Sequence, residues 1–101
     1  MNVNEAITEL CEILKKNYDK SYSRNTIFEP RPGRKYTKIV MIGEHSESAH
    51  AFVDKEGNLY KPATWAHPAK GVRFNLLKDM DVLKKNADWS GGYLYRQKEF
   101  M

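Results

Sequence analysis

The segment Asp54-Lys-Glu-Gly57 constrains the fold of this chain more than any other short stretch. It has aspartate at the first and glycine at the fourth position of a β-turn, where these residues are favoured. Strand-forming residues flank it in 49–53 and 58–61. Two strands joined by so short a turn must pair antiparallel. The segment therefore predicts a β-hairpin.

A further strand is predicted just before the hairpin, at residues 36–42. This run is rich in β-branched and apolar residues and stops at Gly43. Together the three strands form an antiparallel meander. One of its faces would be apolar, so it needs a covering element.

Residues 1–17 have the pattern of an amphipathic helix that could cover this face. The apolar positions recur at spacings of three and four, and Asn2 with Glu5 resembles a capping pair. A second helix is predicted at 76–87, with Asn75 as its cap, and a possible last strand at 93–96. At 101 residues the chain predicts one α+β domain: a small antiparallel sheet with one or two helices on one face.

Residues 18–35, between the first helix and the sheet, are predicted to form a long irregular connector, because two prolines and a glycine interrupt any regular pattern. The connector is basic: residues 21–40 contain five cations and one acid. Its end and the next strand contribute a cluster without an intervening acid: Arg31, Arg34, Lys35 and Lys38. The cluster is either a solvated basic linker or a binding arm.

Residues 60–75 combine two prolines, a glycine, a tryptophan and a histidine, and predict a structured corner between the meander and the second helix. Trp65 is expected to fill the core beneath this corner, with a stacking role as the alternative. His67 is expected to be a loop residue that bonds to the backbone. The cations Lys61, Lys70 and Arg73 form either a solvated rim or a binding edge.

The sequence offers little for catalysis or metal binding. The three histidines lack closely spaced partners, no glycine elbow surrounds a serine, and the Gly91-Gly92 pair precedes a predicted strand, so no catalytic residue, metal site or cofactor is predicted. Cys11 lies on the apolar face of the first helix and is expected to be a buried, inert thiol. No segment suits a membrane span or a signal peptide, which predicts an intracellular protein without membrane contact.

Interleaved rings and cations remain as the main functional signal, and single-stranded nucleic-acid sites combine these two groups. The candidate nucleic-acid contacts are Arg31, Arg34, Lys35, Lys38, Lys61, Lys70, Arg73 and Arg96, with Tyr60, Trp65 and Tyr93 as aromatic contacts. The partner would be DNA or RNA. The alternative is a module or inhibitor that binds a host or phage protein through its aromatic side chains.

Two motifs carry a resemblance to a known group of proteins. The first motif is the run from Phe52 to Trp65, continued by Pro68-Ala-Lys70 and Arg73-Phe-Asn75. The second is the closing segment Ala87-Asp-Trp-Ser-Gly-Gly-Tyr-Leu-Tyr-Arg96. Both motifs resemble those of short bacteriophage proteins of unknown function. The resemblance covers about residues 36–96 and leaves out the first helix and the connector. It implies a phage origin and expression in a bacterial cytoplasm, and it implies no particular activity.

Overall fold

The computed structural model describes residues 1–98 and 101 and contains two α-helices, five strands and a short 3₁₀ helix. All strand pairs are antiparallel, and the sheet order follows the chain from β1 to β5. The predicted α+β class is therefore confirmed. The elements are α1 (Val3–Ser21), β1 (Ile27–Pro32), β2 (Tyr36–Ile42), β3 (Glu47–Asp54), β4 (Asn58–Tyr60), β5 (Phe74–Asn75), α2 (Met80–Asn86) and the 3₁₀ helix (Gly92–Tyr95).

The predicted hairpin joins β3 to β4. Gly57 has a φ of 90°, a conformation that favours glycine, and its N–H donates to the Asp54 carbonyl at 3.1 Å. The Asp54 carboxylate accepts the backbone N–H groups of Glu56 and Asn58 at 2.9 and 3.0 Å. The aspartate and the glycine therefore act as the turn pattern predicts.

Helix α1 packs on one face of the sheet. Its predicted start is confirmed by a complete capping box, in which Asn2 and Glu5 exchange side-chain and backbone hydrogen bonds at 2.8 and 2.9 Å. The helix ends at Ser21 rather than at Asn17, because buried Tyr18 extends the apolar stripe by another turn. Buried residues of the sheet face this stripe: Phe28, Ile39, Ala51, Val53, Leu59 and Phe74.

The interpretation of residues 18–35 as irregular is wrong for its second half. Residues 27–32 form β1, which pairs along its whole length with β2. Pro30 and Pro32 lack an N–H for a ladder, but β1 is an edge strand and has only one neighbour. The two prolines therefore mark a sheet edge instead of a connector.

The C-terminal third also differs from the prediction. The second helix begins at Met80, not at 76, because the Asn75 side chain accepts the N–H groups of Leu77 and Lys78 and closes a separate turn. The predicted strand at 93–96 is wrong, since Gly92–Tyr95 forms the 3₁₀ helix. An Asp88 carboxylate oxygen, which accepts the N–H groups of both following glycines, starts this turn. The fifth strand is Phe74–Asn75 instead.

The opposite face of the sheet carries a smaller apolar cluster. Val40 and Phe52 are buried yet lie outside the main core. Phe52 and Ala66 border the same cavity, and the Lys38 ammonium group lies near the rings of both Phe52 and Trp65. The segment between β4 and β5 therefore lies over this face. Within residues 1–98 and 101, no helix is long and apolar enough to cross a bilayer.

Candidate nucleic-acid interface

The segment after β4 forms a compact loop, residues 62–68, called the tip loop below. Its ends meet in a bridge between Pro62 and Pro68, and the His67 carbonyl accepts the N–H groups of Ala63 and Thr64 at 2.9 and 3.1 Å. The Thr64 hydroxyl accepts the N–H groups of Ala66 and His67 at 3.2 and 3.1 Å. The expectation that His67 bonds to the backbone is confirmed. These bonds hold a tight turn with Trp65 at its tip.

Trp65 is a surface residue, so the expectation that it fills the core is wrong. Its side chain is 46% exposed, and the Lys38 ammonium nitrogen lies 3.7 Å from the ring centroid. The partly buried tryptophan at the main core is Trp89. Its ring meets those of Tyr18 and Tyr22 edge-on, with centroids 5.6 and 5.3 Å apart. The structured loop thus presents its tryptophan instead of burying it.

The first cation cluster lies beside the tip loop around one shallow cavity. The cavity has a volume of about 360 Å³, and among residues 1–98 and 101 no acidic side chain lines it. The end of β1, the turn between β1 and β2, and one residue of β2 bring all four predicted cations of the cluster to this place. The lining residues are Arg31, Pro32, Gly33, Arg34, Lys35, Tyr36, Lys38, Phe52 and Ala66.

Arg31 differs from the other cations because its charge is compensated. It donates two hydrogen bonds to Glu47, at 3.0 and 2.7 Å, and one to Glu29 at 2.9 Å. These bonds, first the ones to Glu47, raise the pKa of Arg31, and in turn the hydrogen bonds from Arg31 lower the pKa of Glu47. Arg31 is therefore held as a structural clamp between β1 and β3.

Arg34, Lys35 and Lys38 keep their positive charge available. Over residues 1–98 and 101, no carboxylate lies within 4.0 Å of their nitrogen atoms. Arg34 and Lys35 are exposed in the β1–β2 turn, while the Lys38 ammonium group lies near the rings of Trp65 and Phe52. These three cations and Trp65 are called the tip surface below.

The remaining predicted cations belong to other surroundings. The Lys61 ammonium nitrogen lies 4.6 Å from the Tyr95 ring centroid, and Lys70 is exposed. Arg73 donates to the Arg96 carbonyl at 3.1 Å. Arg73 also borders a second cavity of about 500 Å³ with residues that the sequence did not single out, among them Lys78, Asp79 and Lys98. None of these four predicted cations lines the cavity at the tip surface.

The other two aromatic candidates both have hydrogen-bond partners within the protein: Tyr60 is partly buried and Tyr93 is buried. The Tyr60 hydroxyl donates to an Asp54 carboxylate oxygen at 2.9 Å, which raises the pKa of Tyr60 to about 12. Tyr93 is 1% exposed and hydrogen-bonds to His50 at 2.8 Å, so its predicted role as a surface contact is wrong. Tyr95 belongs to the interleaved rings and cations of the sequence but is not among the predicted contacts, and the structure exposes it in the 3₁₀ helix.

Two groups with reactive side chains lie within the core. Burial, with Glu12 nearby, raises the pKa of Cys11 to about 12, and the expectation of a buried thiol is confirmed. Burial lowers the pKa of His50 to about 4, against the opposing effects of Asp88 and the Trp89 backbone. Within the described part of the chain, no three His, Cys, Asp or Glu residues come together in a metal-binding arrangement.

A protein-family model matches residues 1–96 of the chain. The chain therefore belongs to DUF7717, a family of unknown function. The match includes α1 and β1, which lie outside the stretch whose motifs resemble phage proteins, so the DUF7717 unit comprises all five strands and both helices. Comparisons with curated proteins and with solved structures found no match.

Proposed function

We propose that this protein acts by binding nucleic acid through the tip surface. The observation that supports the proposal most is the cavity at the tip surface, around which Arg34, Lys35 and Lys38 stand beside half-exposed Trp65 and whose lining includes no acid from the described part of the chain. Cations without carboxylate partners are free to bind phosphates and release their counterions. An exposed ring next to them can contact a base.

The biological setting belongs to the same proposal. The motifs in residues 52–75 and 87–96 resemble those of bacteriophage proteins, which supports a phage-encoded accessory protein. Such a protein would work in the cytoplasm of the bacterial host, where both DNA and RNA are available. Membership of DUF7717 assigns no activity to the chain.

Binding to DNA and RNA at several salt concentrations tests the proposal. Fluorescence anisotropy with labelled oligonucleotides should show an affinity that falls steeply as salt rises, because phosphate contacts release counterions. Replacing Arg34 and Lys35 with alanine should weaken binding. It should also reduce the slope of log affinity against log salt concentration by the amount that corresponds to about two phosphate contacts. Absence of binding at low salt contradicts the proposal.

A matched control removes the same charge elsewhere. The double variant Lys20→Ala with Lys85→Ala removes one exposed cation from α1 and one from α2, and neither residue lines the cavity. This variant has the same net charge as the Arg34 and Lys35 double variant. Equal losses of affinity in the two variants would show that net charge alone attracts the nucleic acid, and the tip surface would then have no special role.

A second candidate is a protein partner, because a rigid turn that presents a large aromatic side chain is also typical of an interface anchor. Capture from nuclease-treated bacterial lysate by the wild-type chain separates the two candidates. A protein that is retained by the wild type and lost by Trp65→Ala, together with no affinity for oligonucleotides, would favour this second function.

A further inference from the structure

We infer that the ligand of the tip surface is a single strand, one of whose bases stacks on the face of the Trp65 ring that Lys38 leaves open. This inference rests on the proposed nucleic-acid function and defines its substrate class. It is carried by the conformation of the tip loop, by the contact between Lys38 and Trp65, and by the position of the cavity.

The tip loop holds Trp65 in place before any ligand arrives. Four hydrogen bonds of 2.9 to 3.2 Å close the turn, two to the His67 carbonyl and two to the Thr64 hydroxyl. A ring on such a turn loses little conformational freedom when it binds, which favours affinity. The loop therefore offers a preformed platform.

Lys38 determines which part of the ring is available. Its ammonium nitrogen is 3.7 Å from the ring centroid, so it occupies one face of the indole. Trp65 is nevertheless 46% exposed as a residue, and Lys38 stands over one face of the ring, so we take the opposite face as the one open to a ligand. One flat aromatic surface is thus left for one planar partner.

A duplex does not offer such a partner along its length. Its bases are paired and stacked on each other, and a protein must unstack a base to reach its face, which costs free energy. The bases of a single strand are accessible, and each can stack on an aromatic side chain without that cost. A single protruding ring therefore favours single strands.

The backbone of the same strand has a place beside the ring. Ala66, the neighbour of Trp65 in the chain, borders the cavity that Arg34 and Lys35 also line. A base on Trp65 thus lies next to cations that can bind its phosphate. Base stacking and phosphate binding then act on adjacent parts of one strand, which is the combination found in general single-strand sites.

The test compares three probes of equal length at one salt concentration: an oligothymidylate of about 12 nucleotides, the same strand with abasic sites, and the matching duplex. Anisotropy should show the oligothymidylate binding about tenfold or more tighter than the abasic strand, because only bases can stack. The duplex should bind less tightly than the oligothymidylate, because its bases are paired and stacked and only its phosphates are available.

Two variants assign the difference to the ring. Trp65→Ala should reduce affinity for oligothymidylate about tenfold and leave the abasic strand unaffected, and its salt dependence should stay that of the wild type. Leu77→Ala is the matched control, since Leu77 is also 46% exposed but lies in the turn before α2. Thermal unfolding of both variants verifies that they fold.

The outcomes separate the two claims. Salt-dependent binding in which Trp65→Ala changes nothing, or in which the duplex and the abasic strand bind as well as oligothymidylate, overturns the stacking inference but keeps the proposed function. Failure of every probe to bind at low salt overturns both.

Discussion

The two tryptophans of this chain lie on opposite faces of the same sheet, and they are used in opposite ways. Trp89 packs against the α1 side, where its backbone N–H donates to the Asn17 side-chain oxygen at 3.0 Å and its ring meets Tyr18 and Tyr22 edge-on. Trp65 stands on the loop side, half exposed, with a lysine against its ring. The same residue type closes the core in one place and forms the surface in the other.

The difference follows from what covers each face. A helix of 19 residues presents a continuous apolar stripe, and large rings at its end are drawn into that packing. The tip loop is short and satisfies its own backbone through internal hydrogen bonds. It therefore covers Phe52 without needing its tryptophan for the purpose. This contrast predicts effects of very different size on the two faces.

The largest effect is expected from Trp89→Ala. The substitution removes a ring that contacts Tyr18 and Tyr22, and the space it leaves cannot collapse easily against a helix. We expect the free energy of unfolding to fall by about 3 kcal/mol, as measured by urea denaturation. A loss below about 1 kcal/mol would show that Trp89 does not secure the helix side.

The next effect concerns His50, which is buried on the helix side beside Tyr93 and Phe28. In the unfolded chain the His50 imidazole takes up a proton near its ordinary pKa of 6.5, whereas burial lowers its pKa in the folded chain to about 4. The unfolded chain thus binds more protons between these values, so stability should be full above pH 6.5 and fall as the pH drops towards 4. The free energy of unfolding should fall by about 3 kcal/mol over this pH range, similar to the loss expected for Trp89→Ala.

Denaturation curves at a series of pH values check this expectation. His50→Gln should remove most of the slope between pH 6.5 and 4, whereas replacement of exposed His45 by glutamine should leave it unchanged. An unaltered slope in the His50 variant would assign the acid sensitivity to other groups.

A smaller effect is expected at the hairpin that leads from the sheet into the tip loop. Burial alone would raise the pKa of Asp54, but hydrogen bonds from Asn58, Tyr60 and the Glu56 N–H lower it overall. Asp54→Ala removes these bonds from a partly exposed site and should cost about 1 to 2 kcal/mol in thermal unfolding. Asp54→Asn keeps an acceptor oxygen and should cost less. Equal losses of stability in the two variants would mean that the negative charge of Asp54, not its ability to accept hydrogen bonds, stabilises the hairpin.

The sequence predicted those features that depend on neighbouring residues. The capping box at Asn2 and Glu5 and the turn at Asp54 and Gly57 formed as expected, because their hydrogen bonds join residues only a few positions apart. Strand β1 was missed because proline weakens any strand pattern, and only the sheet order shows that it lies at an edge.

The candidate site was predicted in part for the same reason. Arg34, Lys35 and Lys38 were singled out as one cluster, and the β1–β2 hairpin does gather them, since they are close in sequence. The environment of each ring depends on distant contacts. Tyr93 is buried through its partner His50, 43 residues away, and the neighbour of the Trp65 ring is Lys38, which belongs to β2. No local pattern contains that information.

The smallest effect is expected from Trp65→Ala, and it sharpens the contrast between the two faces most directly. The ring contributes a cation contact at a half-exposed site, which is worth about 0.5–1 kcal/mol, and it leaves no enclosed cavity when it is removed. Urea denaturation should therefore show a loss of about 1 kcal/mol, smaller than that of Trp89→Ala. Lys38→Gln should cost a similar amount, and the double variant should cost no more than either single one, because both remove the same contact. A loss above about 2 kcal/mol for Trp65→Ala would show that Trp65 stabilises the fold as a core residue does. The two tryptophans would then have the same structural role and differ only in the size of their contribution.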